Sequence, residues 1–161
     1  MTSPGVRIRE ALSGDADWLA GCAIALARET EDKALDPATV RAGIEAGLAD
    51  PAKARYLVAM REAHAGHDTI GVPAGTLMLT REWSDWRNGD WWWIQSVYVM
   101  PAFRRHGIFR ALHRHVLAQA SSTPGVVGLR LYVEHANAAA QAAYAALGMR
   151  DAGYRILEAP L

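Results

Sequence analysis

The chain has 161 residues, of which 51% are hydrophobic and 21% charged, a composition that predicts one globular domain spanning residues 1–161. Seventeen basic residues balance 17 acidic ones, which argues against a nucleic-acid-binding protein because such proteins carry a basic excess. The lone cysteine, Cys22, excludes an intrachain disulfide, and its Ala-, Leu- and Ile-rich surroundings predict burial. Without a signal-peptide pattern or a long apolar stretch, we expect a cytoplasmic protein with no membrane contact.

The first half of the chain carries signals for strands and helices in turn. Apolar and charged residues alternate over 6–10, which predicts a strand. Residues 13–15 offer a helix cap, and apolar residues at helical spacing follow to about residue 30. A second helix is predicted from Asp36 and Pro37 to about residue 50, since Asp followed by Pro is a typical helix start. Residues 56–60 and 69–80 predict two further strands, and Pro73 predicts a bulge or an edge position in the second of them.

The second half predicts strands that flank two helices. The elements are a strand at 91–100, a helix from about 105 to 120, a strand at 129–134, a helix at 137–147 and a final strand at 149–158. The order is therefore β-α-α-β-β-β-α-β-α-β, a mixed-sheet α/β (α+β) domain. We expect the strand–helix–strand unit 91–134 to have parallel strands and a right-handed connection.

The segment FRRHGIFRAL, residues 103–112, places two arginines, a histidine and a glycine where a helical pattern begins. A helix N-terminus has unpaired N–H groups and a partial positive charge, which suits phosphate. Gly107 lets a ligand approach the backbone because it has no Cβ. Two interpretations stay open from these residues alone: a pyrophosphate-binding turn, or a plain helix start with exposed charge.

Two longer segments carry a resemblance to a known family. SVYVMPAFRRHGIFRALHRHV resembles the acetyl-CoA-binding core of the GNAT superfamily of N-acetyltransferases, whose signature, Gln/Arg-x-x-Gly-x-Gly/Ala, falls on Arg104, Gly107 and Phe109. Phe109 replaces the usual small residue, so we expect it to shift the helix start slightly or to point away from the cofactor. LRLYVEHANAAAQAAYAALGMRDAGYRILE is similar to the second cofactor segment of the family.

The resemblance implies a GNAT-like fold with a splayed central sheet and acetyl-CoA as the cofactor. The strand near Ser96 to Met100 would splay from its neighbour after residue 134, and the pantetheine arm would enter the gap and pair with the backbone of Val97 and Val99. Amides of the turn that follows would hold the pyrophosphate. The implied cofactor-binding residues are Val97, Tyr98, Val99, Arg104, Arg105, His106, Gly107, Ile108, Phe109, Arg110, Asn137 and Tyr144.

The same resemblance implies how an acetyl group would pass to an amine. Tyr144 would face the cofactor sulfur as general acid, and the Val99 N–H would stabilise the oxyanion. Glu29 and Glu31, at the end of the first helix, are candidates to deprotonate the amine through water or to hold its ammonium. A solvated acidic helix end is the alternative interpretation of these two residues.

The segment EWSDWRNGDWWW predicts an aromatic acceptor wall with cation–π capacity, and core packing or a dimer contact is its alternative interpretation. Exposed tryptophans would favour a homodimer. We expect no metal site, and we expect His113 and His115 to be exposed. A non-catalytic acyl-CoA sensor with the same fold is the alternative function. The substrate-binding candidates are Glu29, Trp83, Trp86, Arg87, Trp92 and Gln95.

Overall fold

The computed structural model of the protein describes residues 5–65 and 68–161. Side chains are described throughout these ranges except at residues 63–65 and 68–70. Contacts divide the chain after Leu131 into two compact units. Within the described ranges, no helix is both long and apolar enough to cross a membrane. The helices and strands are β1 (Val6–Glu10), α1 (Ala16–Glu31), α2 (Pro37–Ala49), β2 (Arg55–Ala65), β3 (Asp68–Ser84), β4 (Gly89–Val99), α3 (Ile108–Ser122), β5 (Val126–Leu131) and α4 (Ala138–Ala146).

The first unit is built on one mixed sheet with the strand order β1-β2-β3-β4-β5. Strands β1 to β4 pair with one another in antiparallel fashion, and β5 is parallel to β4. This arrangement confirms the predicted mixed α/β class and the parallel pairing within 91–134. The pairing shifts so that Ala59 faces Gly75 while Met60 faces Pro73, which confirms the predicted bulge. Since proline has no N–H for the ladder, the bulge is what accommodates it in an interior strand.

Helices α1 and α2 form a small cluster of their own on the sheet. The Asp36 side chain accepts a hydrogen bond from the Thr39 N–H at 2.8 Å, which caps the first turn of α2 as the sequence predicted. Leu19 and Ala20 of α1 pack against Ile44 of α2. Asp32 ends α1 in the left-handed conformation, with φ of 50°.

Helix α3 packs on the main core, where Ile108, Leu112 and Val116 meet strand residues such as Leu57 and Leu77. It begins three residues later than predicted. Arg105 and Gly107 have φ of 66° and 78°, and a right-handed helix cannot contain such residues.

The sequence analysis made predictions about two side chains of α3, Phe109 and His113. The Phe109 ring lies along the helix towards His113, with 6.3 Å between the ring centroids. The expected exposure of His113 is wrong, since this side chain is 2% exposed. Residues three apart share a helix face, and His113 therefore faces the core together with Val116.

The second unit, Tyr132–Leu161, contains α4, which begins at the cap residue Asn137. The prediction of a strand over 149–158 is wrong, because residues 149–161 form neither helix nor strand. Tyr154, Ile156 and Leu157 are exposed. An alternating pattern fixes how side chains would face in a strand, but a strand also needs a neighbour for its backbone hydrogen bonds.

Candidate active site

Strand β4 has an unpaired edge near its carboxyl end. It pairs with β3 as far as Val99 but with β5 only as far as Ile94, which faces Leu131. The Met100 N–H donates to the Ala74 carbonyl on β3 at 2.9 Å. Backbone groups of successive strand residues point to alternate edges, so those of Val97 and Val99 point away from β3, towards the gap. Pairing of β4 with β5 thus ends before the stretch from Ser96 to Met100, where the resemblance implied that the sheet splays.

The turn after β4 exposes backbone donors. The N–H groups of Ile108, Phe109 and Arg110 open α3 and have no acceptor within the helix, and this helix has no side-chain cap among the described residues. Arg105, His106 and Arg110 are exposed around this turn, and His106 Nδ1 lies 2.7 Å from the Arg104 carbonyl oxygen. A helix start with cationic side chains around it suits an anion.

Glu29 joins the end of α1 to β4 and to this turn. The Tyr98 hydroxyl donates to Glu29 Oε1 at 2.8 Å, and Arg104 Nη2 donates to Glu29 Oε2 at 2.6 Å. Arg104 also donates from Nε to the Val99 carbonyl at 3.0 Å. The hydrogen bond from Tyr98 and then that from Arg104 lower the pKa of Glu29. Burial, followed by the Glu29 contact, raises the pKa of Tyr98.

A cleft of about 380 Å³ lies between α1, α2 and the sheet, and Tyr98 forms part of its wall. Leu19, Cys22, Ala23 and Leu26 from α1, Ile44 from α2 and Met78 from β3 give it an apolar lining. Hydroxyl groups come from Tyr56, Thr76, Ser96 and Tyr98. The Glu29 carboxylate thus lies next to an apolar cleft, one hydrogen bond away from its wall.

The sequence prediction missed most of this cleft. Thr76 and Met78 lie on one face of β3, and Ser96 and Tyr98 lie opposite them on β4. Strand alternation would have grouped these four residues on one face. Which helices cover that face depends on tertiary packing, which strand alternation does not reveal.

The predicted aromatic wall does not assemble beside Glu29. Trp86 precedes β4, and the strand from Gly89 to Tyr98 spans about 30 Å at about 3.3 Å per residue. Trp83 is 61% exposed and Trp86 86% exposed, at the far end of the hairpin from Tyr98. Trp92 is only 4% exposed and packs in the main core, so its assignment to an acceptor wall is wrong.

The remaining polar candidates lie in separate local contacts. The Arg87 guanidinium carbon is 5.3 Å from the centroid of the Trp91 ring, and Gln95 donates to the Thr80 hydroxyl at 2.8 Å. Glu31 is ion-paired with Lys33. These contacts within the protein account for the positions of the three side chains, and no bound ligand is needed to explain them.

Two candidates lie in the second unit. The Asn137 side chain accepts from the Ala140 N–H at 3.0 Å and caps α4. Tyr144 lies within α4, and burial raises the pKa of its phenol.

Solved structures resemble the chain over nearly its whole length. A possible acetyltransferase from Clostridium difficile 630 is 38% identical, with a TM-score of 0.87 and 97% of each chain covered. The aminoglycoside N-acetyltransferase AAC(6')-Iy, in complex with CoA, has the same fold at 16% identity, with a TM-score of 0.73 and coverage of 96% of this chain and 94% of that one.

A ribosomal-protein-alanine N-acetyltransferase from Brucella melitensis biovar Abortus 2308 also shares the fold, at 18% identity and a TM-score of 0.68, with 97% of this chain and 99% of that one covered. A search of curated proteins found no significant match. The sequence model of the acetyltransferase (GNAT) family matches residues 18–149, so the chain belongs to this family and is an acyltransferase enzyme.

Proposed function

We propose that the protein transfers the acetyl group of acetyl-CoA to a primary amine, which attacks the thioester directly. The observation that carries this proposal is the edge of β4 at Val97 and Val99, where pairing with β5 has ended, followed after a turn by the start of α3, which has no side-chain cap among the described residues. The CoA complex of AAC(6')-Iy, which has the same fold, supports the choice of cofactor.

The described residues fit such a cofactor. The backbone of Val97 and Val99 would pair with the amides of the pantetheine arm as an added strand does. N–H groups from Ile108 to Arg110 would bind the pyrophosphate, with charge from nearby side chains. The proposed cofactor-binding residues are Val97, Tyr98, Val99, Arg104, Arg105, His106, Gly107, Ile108, Phe109, Arg110, Asn137 and Tyr144.

Two groups of the chain would assist acyl transfer. Bound acetyl-CoA supplies an activated acetyl carbon and a thiolate leaving group. The Val99 N–H would donate to the acetyl oxygen as negative charge develops on it. Tyr144 would give a proton to the departing sulfur, and because burial raises its pKa, the phenol remains protonated at neutral pH.

Glu29 would bind the amine as its ammonium before a proton passes to water. Its lowered pKa makes it a weak base at neutral pH but keeps it negatively charged. We assign this role to Glu29 rather than Glu31, because Glu29 accepts a hydrogen bond from Tyr98, a residue of the cleft wall, whereas Glu31 contacts Lys33.

The cofactor turn can be tested with two substitutions at one position. Gly107 has φ of 78°, a conformation that asparagine tolerates better than most residues. In a calorimetric titration with acetyl-CoA, we expect binding by the wild type, weaker binding by Gly107→Asn, whose Cβ hinders the approach of the ligand, and loss of binding by Gly107→Glu, which adds a negative charge. Equal binding by all three folded proteins would exclude this turn as the pyrophosphate site.

We also propose that the protein forms a homodimer. The exposed Trp83 and Trp86 side chains support this proposal, because exposed apolar patches commonly mark contact surfaces. Sedimentation equilibrium of the wild type and of the Trp83→Ser/Trp86→Ser double variant tests it. A wild type that stays monomeric at high micromolar concentration would contradict it.

A further inference from the structure

We propose that the acceptor is a small primary amine with an apolar body, which occupies the cleft between α1, α2 and the sheet while its ammonium binds Glu29. The inference rests on the proposed acetyl transfer and names the class of amine that the site takes. It follows from the lining of the cleft, from its size and from the position of the carboxylate.

The lining of the cleft is apolar where a ligand would be deepest. Leu19 and Ile44 are 2% and 6% exposed and belong to the cluster between the two helices. Burial raises the pKa of the Cys22 thiol to about 11, so at neutral pH this side chain is uncharged and behaves as a small apolar group. No charged side chain is among the described residues that line the cleft.

The hydroxyl groups in the cleft are partly engaged by the protein itself. The Thr76 hydroxyl donates to the Leu57 carbonyl at 2.9 Å, and the Tyr98 hydroxyl donates to Glu29. A ligand with many hydroxyl or amino groups would therefore leave most of them unpaired, which is costly in an apolar site. A ligand with one ammonium and a hydrocarbon body has a single polar group to pair, and Glu29 is the group that would bind it.

The size of the cleft sets an upper limit on that body. The space open to the centre of a water molecule in the cleft is about 70 Å³, and the wider volume of about 380 Å³ includes open solvent at its mouth. One ring or a short alkyl chain fits this space. A multi-ring aminoglycoside or a folded peptide terminus would extend well beyond it.

Charge is concentrated at one side of the cleft. The Glu29 carboxylate is the acidic group bonded to its wall, and Arg104 is bonded to the same carboxylate. A second ammonium on the ligand would meet the apolar lining or the Arg104 guanidinium, and neither pairs with a cation. The site therefore favours monoamines over polyamines.

The experiment compares amines matched in size. With acetyl-CoA and detection of released thiol, kcat/KM is measured for linear alkylamines from propylamine to octylamine, 2-phenylethylamine, spermidine and neamine. Hexylamine is paired with 2-(2-aminoethoxy)ethanol, which has the same number of heavy atoms but a polar chain. We expect kcat/KM to rise by up to about fourfold per methylene until the cleft is full, with hexylamine well above its polar counterpart.

Two variants change the size of the cleft in opposite directions. Ala23→Leu, on α1, should shorten the best alkylamine, and Met78→Ala, on β3, should lengthen it, since both side chains line the cleft. Ala46→Leu, on the exposed face of α2, makes the same change as Ala23→Leu and should leave the preferred length unaltered. Opposite shifts cannot come from a general loss of stability.

The outcomes separate this inference from the proposed function. Preference for spermidine, neamine or the polar ether, a flat dependence on chain length, or turnover of none of these amines by a protein that binds acetyl-CoA would overturn the inference. Calorimetry with 2-phenylethylamine alone tests the cleft without acyl transfer. The protein could bind this amine, with weaker binding by Ala23→Leu, and yet fail to bind acetyl-CoA. That result would refute the proposed function but support the amine site.

Discussion

The Arg104 guanidinium binds the Glu29 carboxylate, with Nη2 2.6 Å from Oε2, and so joins the last turns of α1 to the turn before α3. The Tyr98 hydroxyl binds the other carboxylate oxygen. Both donors favour the ionised form and lower the pKa of Glu29. A carboxylate in this state is better suited to bind an ammonium ion than to remove its proton.

Glu29→Gln should therefore impair amine binding more than catalysis. The amide still accepts from Tyr98 but carries no charge, and a hydrogen bond between charged groups contributes about 1.5 kcal/mol or more. We expect KM for the amine to rise about tenfold, with little change in kcat and an unaltered shape of the pH profile. Steady-state kinetics over pH 6–9 measures all three quantities.

Glu31→Gln provides the comparison for this test. Glu31 pairs with Lys33, and we expect its variant to keep the wild-type KM. If Glu29→Gln instead lowers kcat and removes an ionisation from the pH profile, Glu29 acts as a general base.

Local chemistry in the sequence was enough to predict several elements of the fold. The Asp36 cap, the bulge at Pro73 and the segment before α3 depend on neighbouring residues and on known backbone preferences. The position of the turn before α3 was predicted on the same basis, together with a family signature. The backbone conformation of this turn was not predicted, because Arg105 is left-handed there and arginine seldom adopts that conformation.

Contacts between distant residues could not be predicted in this way. Tyr98 and Glu29 are 69 positions apart, and no spacing pattern links them. Alternation put Trp92 on the opposite face from Trp91 and Trp93, but the position of α3 decides that the Trp92 face is the core. The acceptor wall was inferred from the composition of one segment alone.

Stability should depend on pH through His113. Burial lowers its pKa, and neither ring nitrogen has a hydrogen-bond partner among the described residues. Below the usual histidine pKa of about 6.5, the unfolded chain takes up a proton that the folded protein does not. The free energy of unfolding should therefore fall as pH drops from about 6.5 towards about 5, by at most about 1.4 kcal/mol per pH unit, and should not depend on this group above that range.

His113→Phe should remove this part of the slope. Urea unfolding at several pH values measures it, with His106→Gln as the comparison because His106 is exposed. An equal slope in wild type and His113→Phe would mean that the pKa of His113 is the same in the folded and the unfolded protein.

Cys22 should react slowly with thiol reagents. Its side chain is 4% exposed, and burial raises its pKa to about 11, so at pH 8 about one thiol in a thousand is ionised. We expect modification by a disulfide reagent to be at least about 100-fold slower in the native protein than in urea. Rapid native labelling would show that the region between α1 and α2 opens readily. Slow labelling also keeps the protein's own thiol out of an assay that detects released CoA.

Gly75 allows the start of α3 to pack against β3. A Cβ at this position would lie 2.9 Å from Ile108 Cγ2 and 2.9 Å from the Tyr98 carbonyl oxygen. We expect Gly75→Ala to cost about 1–3 kcal/mol and to weaken acetyl-CoA binding, because the helix start must move. Gly43→Ala is the control: nothing lies within 4 Å of its added Cβ, and in a helix this change should stabilise the fold by about 0.5–1 kcal/mol. Gly75→Ala with wild-type stability and binding would contradict the tight packing.

Trp92 and Trp86 should respond differently to truncation, because one packs in the core and the other lies on the hairpin surface. Trp92→Ala removes a ring that is 4% exposed and should cost about 3–5 kcal/mol in urea unfolding. Trp86 is 86% exposed, and Trp86→Ala should change stability by less than about 0.5 kcal/mol. Because Trp86 is remote from Tyr98 along β4, its loss should also leave KM for the amine unchanged in the monomer. A rise in KM for the amine at every protein concentration would support the aromatic acceptor wall after all. A rise that appears only at concentrations where copies associate would mean that the hairpin contributes to the site of a second copy.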